Sequence, residues 1–224
     1  MDQSLTNTPK RLEFLREQVL RMGHLSEAIL QKALRSVWER DPKLAASVAP
    51  DDRAIDQLDV DIDRGVLEYL ALQAPVARDL RQVLAIKTVT TDLERVGDLA
   101  RNIAKSAIRL CERPEVTPPA ILSALARDSQ QLLKIALGAF ADYDPTAARS
   151  VLLADDQIDE AEGTAIRASI ADIQINPGTT EQQIDFIFIA KNLERVGDHA
   201  TNIAEDVVLV AESLNLKHAQ KLAQ

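Results

Sequence analysis

One acidic dodecamer is written twice in this chain. LERVGDLARNIA fills residues 93–104 and LERVGDHATNIA fills 193–204, with ten of twelve positions identical across a separation of 100 residues. The likeness continues upstream, where DPKLAASVAPDDRAID (41–56) aligns with DPTAARSVLLADDQID (144–159) at an offset of 103. Three residues are therefore lost in the turn between the two matched blocks. A tandem duplication restricts the fold to two copies of one unit. Each copy has on the order of 100 residues, enough for a three-helix bundle with its own core.

Apolar residues recur every three or four positions, as in Leu12, Leu15, Val19, Met22, Ala28 and Ile29, and again in Leu93, Val96, Ala100, Ile103 and Ala107. That spacing is helical, and no sustained period-two alternation interrupts it. Glycine and proline gather at ERDPK, LQAPVA, CERPEVTPPA, DYDPT and NPGTT, which divides the chain into six helical stretches. They span about 8–39, 43–73, 76–111, 118–141, 145–174 and 180–216. Asp41-Pro42 and Asp144-Pro145 read as helix starts with a capping carboxylate and proline in the first turn. Thr180 reads as the cap of the last helix, and a kink is expected near Pro50 and in the matching part of the fifth stretch. The fold class is all-α: two tandem, pseudo-symmetric three-helix bundles, 8–111 and 118–216, with the proline-rich stretch 112–119 as their seam.

Composition narrows the functional classes. A formal charge of −9 with 3% aromatic residues opposes nucleic-acid binding, which needs clustered cations and stacking surfaces. Cys111 is the single cysteine, so no disulfide forms within the chain, as suits a reducing compartment. The start lacks the apolar run of a secretion signal, and the most apolar run, FIFIA at 186–190, is far too short to span a bilayer. A cytoplasmic location is expected, with contact to the inner face of the membrane only by docking on partners.

The acids form ladders. On the third stretch Glu94, Asp98 and Asn102 share a stripe set apart from the apolar one, and Glu194, Asp198 and Asn202 repeat it on the sixth. Asp52, Asp56, Asp59 and Asp63 line one arc of the second stretch, and Asp155, Asp159 and Glu162 line the fifth. Two adjacent antiparallel helices bring both ladders of a repeat to one groove. A solvated acidic face relieved by Arg95 and Arg101, each three residues from Asp98, is one reading. A cation site is the other. In the second copy Thr201 replaces Arg101 while both acids persist, which favours the cation. Oxygen ligands of this kind suit hard ions and can bridge more than one.

At TTDLERVGDLARNIA and KNLERVGDHATNIAEDV the sequence resembles the PhoU family, the phosphate-specific transport system accessory proteins. The resemblance covers nearly the whole chain. It implies two similar three-helix bundles side by side and multinuclear iron or zinc clusters on the surface, manganese or magnesium being the lesser candidates. Carried over by position, Asp52, Asp56, Glu94 and Asp98 form one site and Asp155, Asp159, Glu194 and Asp198 the other. Asn102, Asn202, Asp59 and Glu162 are additional candidate ligands. The resemblance also implies a negative regulator of phosphate uptake and of the phosphate-starvation response, without catalysis. Its implied partners are the ATPase subunit of the phosphate ABC transporter and a membrane sensor histidine kinase, and its implied state is a homodimer.

Two rival readings stand beside this one. A carboxylate-bridged enzyme of the ferritin type places Glu-x-x-His motifs in its core, and His24, His199 and His218 make no such motif. A metal-free helical adaptor is the other rival. His199 reads as a residue packed at a helix seam, Trp38 as a core or seam anchor, and Cys111 as a passive thiol.

Overall fold

The computed structural model describes residues 8–216, so His218 lies outside the described residues. Helices form where the apolar period is helical: α1 (Thr8–Trp38), α2 (Pro42–Ala46), α3 (Val48–Gln73), α4 (Ala77–Cys111), α5 (Ala120–Asp142), α6 (Pro145–Ile175) and α7 (Thr180–Glu212). A single 3-10 turn, Pro177–Thr179, precedes α7. No strand occurs among the described residues.

The expected second helix is broken rather than kinked. Pro50 has no N–H to donate, and its ring crowds the carbonyl four residues back, at Ala46, where α2 ends. Leu153 stands at the aligned position of the second repeat, and α6 runs through it unbroken. Both repeats start this helix the same way. Arg40 and Tyr143 turn left-handed at φ 48° and 50°, and the Asp-Pro that follows caps the new helix. Asp41 Oδ1 accepts from the N–H groups of Lys43 and Leu44 at 2.9 and 3.0 Å, and Asp144 Oδ1 from those of Thr146 and Ala147 at 2.8 and 3.2 Å. Such caps stabilise a helix by about 0.5–2 kcal/mol.

Thr180 does not cap α7. It is the first residue of that helix, and its hydroxyl donates to Pro177 O at 2.6 Å. The same helix stops short of residue 216 because Ser213 turns left-handed at φ 61° and donates its N–H back to Leu209 O. Trp38 is not a core residue, being 40% exposed at the end of α1.

Packing orders the long helices into a layer, α3–α4–α7–α6, with α1 laid over α3 and α4 and α5 over α6 and α7. The repeats join through α4 against α7 and, more lightly, α1 against α5. One continuous apolar core runs from Leu12 to Val210, including the whole expected stripe of Leu93, Val96, Ala100, Ile103 and Ala107. Polar contacts pin the central seam. Asp185 on α7, 2% exposed, accepts from Arg109 Nε at 2.9 Å and Arg113 Nη1 at 2.6 Å. At the other end of the seam Thr88 donates to Asp206. These cross-contacts pair early α4 with late α7 and the reverse, so the two central helices run antiparallel.

The faces of α3, α4, α6 and α7 that carry the acidic ladders lie away from α1 and α5. This places two surface grooves, α3–α4 and α6–α7, in repeat-equivalent positions on the side of the layer that those helices leave open.

Candidate metal centre

The α3–α4 groove is built around a buried acid. Asp52 is 1% exposed and reaches across to the backbone of Gly97 in the dodecamer. A Cβ at position 97 would stand 2.4 Å from Asp52 Oδ1, so glycine there is what admits the carboxyl group. Arg101 Nη1 lies 2.7 Å from Asp52 Oδ2, and the same guanidinium pairs with Asp98. Arg95 adds contacts of 3.2 Å to Asp98 and 3.4 Å to Glu94. Lys87 pairs with Asp63 at 2.6 Å farther along the groove.

Even with these cations present, the acids press on one another. Burial pushes the Asp52 carboxyl up to about 6, with Arg101 opposing and the charges of Asp56 and Asp98 adding to the rise. Glu94 is raised by burial and by Asp98, with Asp59 and Asp56 contributing from across the groove against Arg95. Asp59 is raised by burial, then by Asp63 and Asp56, with Lys87 and Arg95 opposing. The α3 ladder is thus felt on α4.

The α6–α7 groove repeats the acids without the arginine. Thr201 stands where Arg101 does, and its hydroxyl donates to the carbonyl of Asp198 at 2.7 Å. Lys191 reaches Glu162 at 3.2 Å. Burial pushes Glu194 up to about 7, reinforced by Asp198, Asp159 and Glu162 and opposed by Lys191. Asp155 rises to about 6 through burial and then Asp159, Asp198, Asp156 and Glu205, all raising it. Asp159 is raised by burial, Asp156 and Glu162. Asp155 Oδ1 is fully buried and has no hydrogen-bond partner among the described residues.

The asparagines separate. Asn102 is exposed and accepts from Lys105 at 3.5 Å. Asn202 turns to the central seam and donates to Asp92 Oδ1 at 3.2 Å, beside His199 Nδ1 at 2.8 Å from the same oxygen. Asp92 is a partner that sequence reasoning missed. The signal was present, because His199 replaces Leu99 only in the repeat that must meet Asp92 across the seam.

Among the described residues no three acidic, histidine or cysteine side chains stand close enough together to hold one ion as placed. The chemistry of the donor set still suits a hard cation, being oxygen throughout. Both grooves hold buried carboxylate oxygens without a hydrogen-bond partner, at Asp52 and at Asp155, and the α6–α7 groove fits better because Arg101 already supplies a positive charge to Asp52 and Asp98 in the other.

Residues 19–107 and 122–207, one groove apiece, each match the PhoU domain. The chain belongs to the PhoU family. The phosphate-specific transport system accessory protein PhoU homologue of Xylella fastidiosa is 38% identical over 193 residues, covering 86% of this chain and 81% of that protein. The PhoU homologue of Pseudomonas aeruginosa is 34% identical over 92% of this chain and 86% of its own length. Solved structures agree. PhoU from Pseudomonas aeruginosa superposes with a TM-score of 0.89 at 33% identity, covering 92% of this chain and 99% of that one. The phosphate transport system regulatory protein PhoU from Streptococcus pneumoniae gives 0.87 at 27% identity, covering 93% and 99%. The likeness to PhoU proteins therefore spans both repeats and the seam between them.

Proposed function

We propose that this protein is a non-enzymatic accessory regulator of phosphate uptake and of the phosphate-starvation response. The observation that carries this reading is a match in both repeats, over most of the chain, to proteins named for a phosphate-specific transport system. It acts by contact, on the ATPase subunit of the phosphate ABC transporter and on a membrane sensor histidine kinase. It works in the cytoplasm as a homodimer and reaches the membrane through those partners. Among the described residues no helix is long and apolar enough to cross a membrane, in keeping with peripheral docking.

The carboxylate grooves are proposed to bind metal ions, iron or zinc ahead of manganese or magnesium. Asp155, Asp159, Glu194 and Asp198, with Glu162 at the margin, form the tighter site. Asp52, Asp56, Glu94 and Asp98, with Asp59, form the weaker one, because Arg101 must leave Asp52 and Asp98 before an ion can enter. Bound metal would supply positive charge that fastens α6 to α7 and α3 to α4. The residues themselves orient oxygens toward the groove and give up protons as the ion arrives. A metal-free adaptor is the second reading, and the Arg101 contacts favour it for the first groove.

Deleting the gene and measuring phosphate uptake in phosphate-replete medium tests the regulatory role. Uptake and starvation-gene expression should stay high without the protein and return to repression on complementation. Normal repression in the deletion strain would refute the role.

A further inference from the structure

Each groove changes character along its length. On α4 the stripe Leu80, Leu84, Lys87, Thr91, Glu94 and Asp98 advances by three or four residues, so one helix face runs from apolar to acidic. Leu84 is 47% exposed, and on α3 Leu67, one turn beyond Asp63, is 68% exposed. The second repeat does the same with other residues. Lys191 touches Glu162 across the α6–α7 groove, and Ile184, two turns before Lys191 on α7, is 41% exposed. Ile170, two turns beyond Glu162 on α6, is 45% exposed. The aligned pairs Leu67/Ile170 and Leu84/Ile184 keep large apolar side chains in water at both copies. Four such residues left open at matched positions mark a surface built for contact.

The first repeat also shows what the acids accept. There the chain's own Arg101 lays a guanidinium between Asp52 and Asp98. Asp155 and Asp198 are the aligned acids, and Thr201 is too short to do the same.

We propose that the α6–α7 groove receives a helical segment of a partner protein, whose arginine or lysine enters between Asp155 and Asp198 and whose large apolar side chains pack on Ile170 and Ile184. Charge complementarity selects this occupant. A second copy of the same face would bring like charges together, and an anionic membrane surface would be repelled by the ladder. From Ile184 to Asp198 is fourteen residues of α7, about 21 Å at 1.5 Å per residue, so the segment needs roughly four helical turns. Its cationic end shares carboxylates with the proposed metal, so metal and partner weaken each other's binding by the same factor. The inference rests on the contact mode of regulation proposed above.

A photo-crosslinking amino acid placed at Ile184 of the full chain, in cells, tests it, with Gln131 on the exposed face of α5 as a second position. The expected adduct at Ile184 is with a segment of another protein that carries Arg or Lys a few turns from large apolar residues. Thr201→Arg should lower its yield about tenfold or more by supplying the guanidinium internally, with the helical circular dichroism of the variant unchanged. Adducts at Ile184 with a second copy of this chain or with lipid alone would overturn the proposal, as would a yield indifferent to Thr201→Arg. Adducts with another protein at Gln131 only would sink this groove and leave contact regulation standing. No protein adduct at either position would sink both.

Discussion

Replacing Arg101 with threonine, the residue its counterpart carries, tests whether the guanidinium is the built-in counter-charge of the α3–α4 groove. Arg101 Nη1 stands 2.7 Å from Asp52 Oδ2, with side chains 35% and 2% exposed. Breaking a buried pair costs ~3–5 kcal/mol, and water around the partly exposed guanidinium reduces this to about 1–3 kcal/mol. The sign with pH follows from Asp52. Its carboxyl sits at about 6, above the ordinary 3.8, so folding favours the protonated form. That contribution to stability is full below the ordinary carboxylate range and is lost as pH rises through about 6. Without the opposing Arg101 the value climbs further, and the loss extends to higher pH. Arg101→Thr should therefore be costly near pH 8 and nearly neutral near pH 4.5. Urea denaturation at both pH values measures it, alongside Asp52→Asn/Arg101→Thr, which should recover part of the loss at the higher pH. An equal loss at both pH values, or none at either, would refute the electrostatic account of this groove.

Gly97→Ala should destabilise the protein by about 1–3 kcal/mol, through overpacking against Asp52, where glycine-to-alanine in an open helix gains up to ~1 kcal/mol. Gly197→Ala meets the Ile158 side chain, nearest at Cγ2 at 3.1 Å, and should cost less; thermal melts of the two variants check the order. Metal affinity of the α6–α7 groove should rise between pH 5.5 and 7.5, by about tenfold or more, as Glu194 and Asp155, pushed by burial up to about 7 and about 6, lose their protons. Calorimetry in buffers of different ionisation enthalpy should register proton release on binding, and a pH-independent affinity would contradict the assignment. Asp185→Ala strands Arg109 and Arg113 at the central seam and should cost about 2–4 kcal/mol, reduced from a fully buried pair because both arginines are partly exposed. Chemical denaturation reads that loss directly.

Much of this molecule was legible before any coordinates, because duplication and helical period are both one-dimensional signals. The six long helices, their Asp-Pro starts and the buried stripe of the dodecamer all follow from spacing alone. The break at Ser47 was half visible: Pro50 announced a disturbance, but whether a helix bends or restarts depends on how its two pieces pack. Assigning the same disturbance to α6 ignored that Leu153 stands where Pro50 does. The grooves were legible as ladders, and the charges felt between α3 and α4 and between α6 and α7 are those that helical angles foresaw. The fate of Arg101 was not. Both its pairing with Asp98 and its removal in the second copy were readable, whereas its reach to Asp52 crosses from one helix to another. His199 was read as a seam residue and is one, but its partner and that of Asn202 escaped for the same reason, since Asp92 lies 107 residues from His199 in the chain and meets it only across the seam. Exposed leucine and isoleucine on α3, α4, α6 and α7 were invisible as a surface, because the apolar period cannot tell which of two apolar flanks is covered.

The proposal that these grooves gather carboxylates for metal is tested most directly by anomalous diffraction from crystals of the full chain soaked with Fe³⁺ or Zn²⁺ and measured at each metal's absorption edge. Peaks should appear between α6 and α7, within bonding reach of Asp155, Asp159, Glu194 and Asp198, and fill there at lower metal concentration than between α3 and α4. Saturating metal with no peak in either groove, or peaks only at sites remote from these eight side chains, would contradict it.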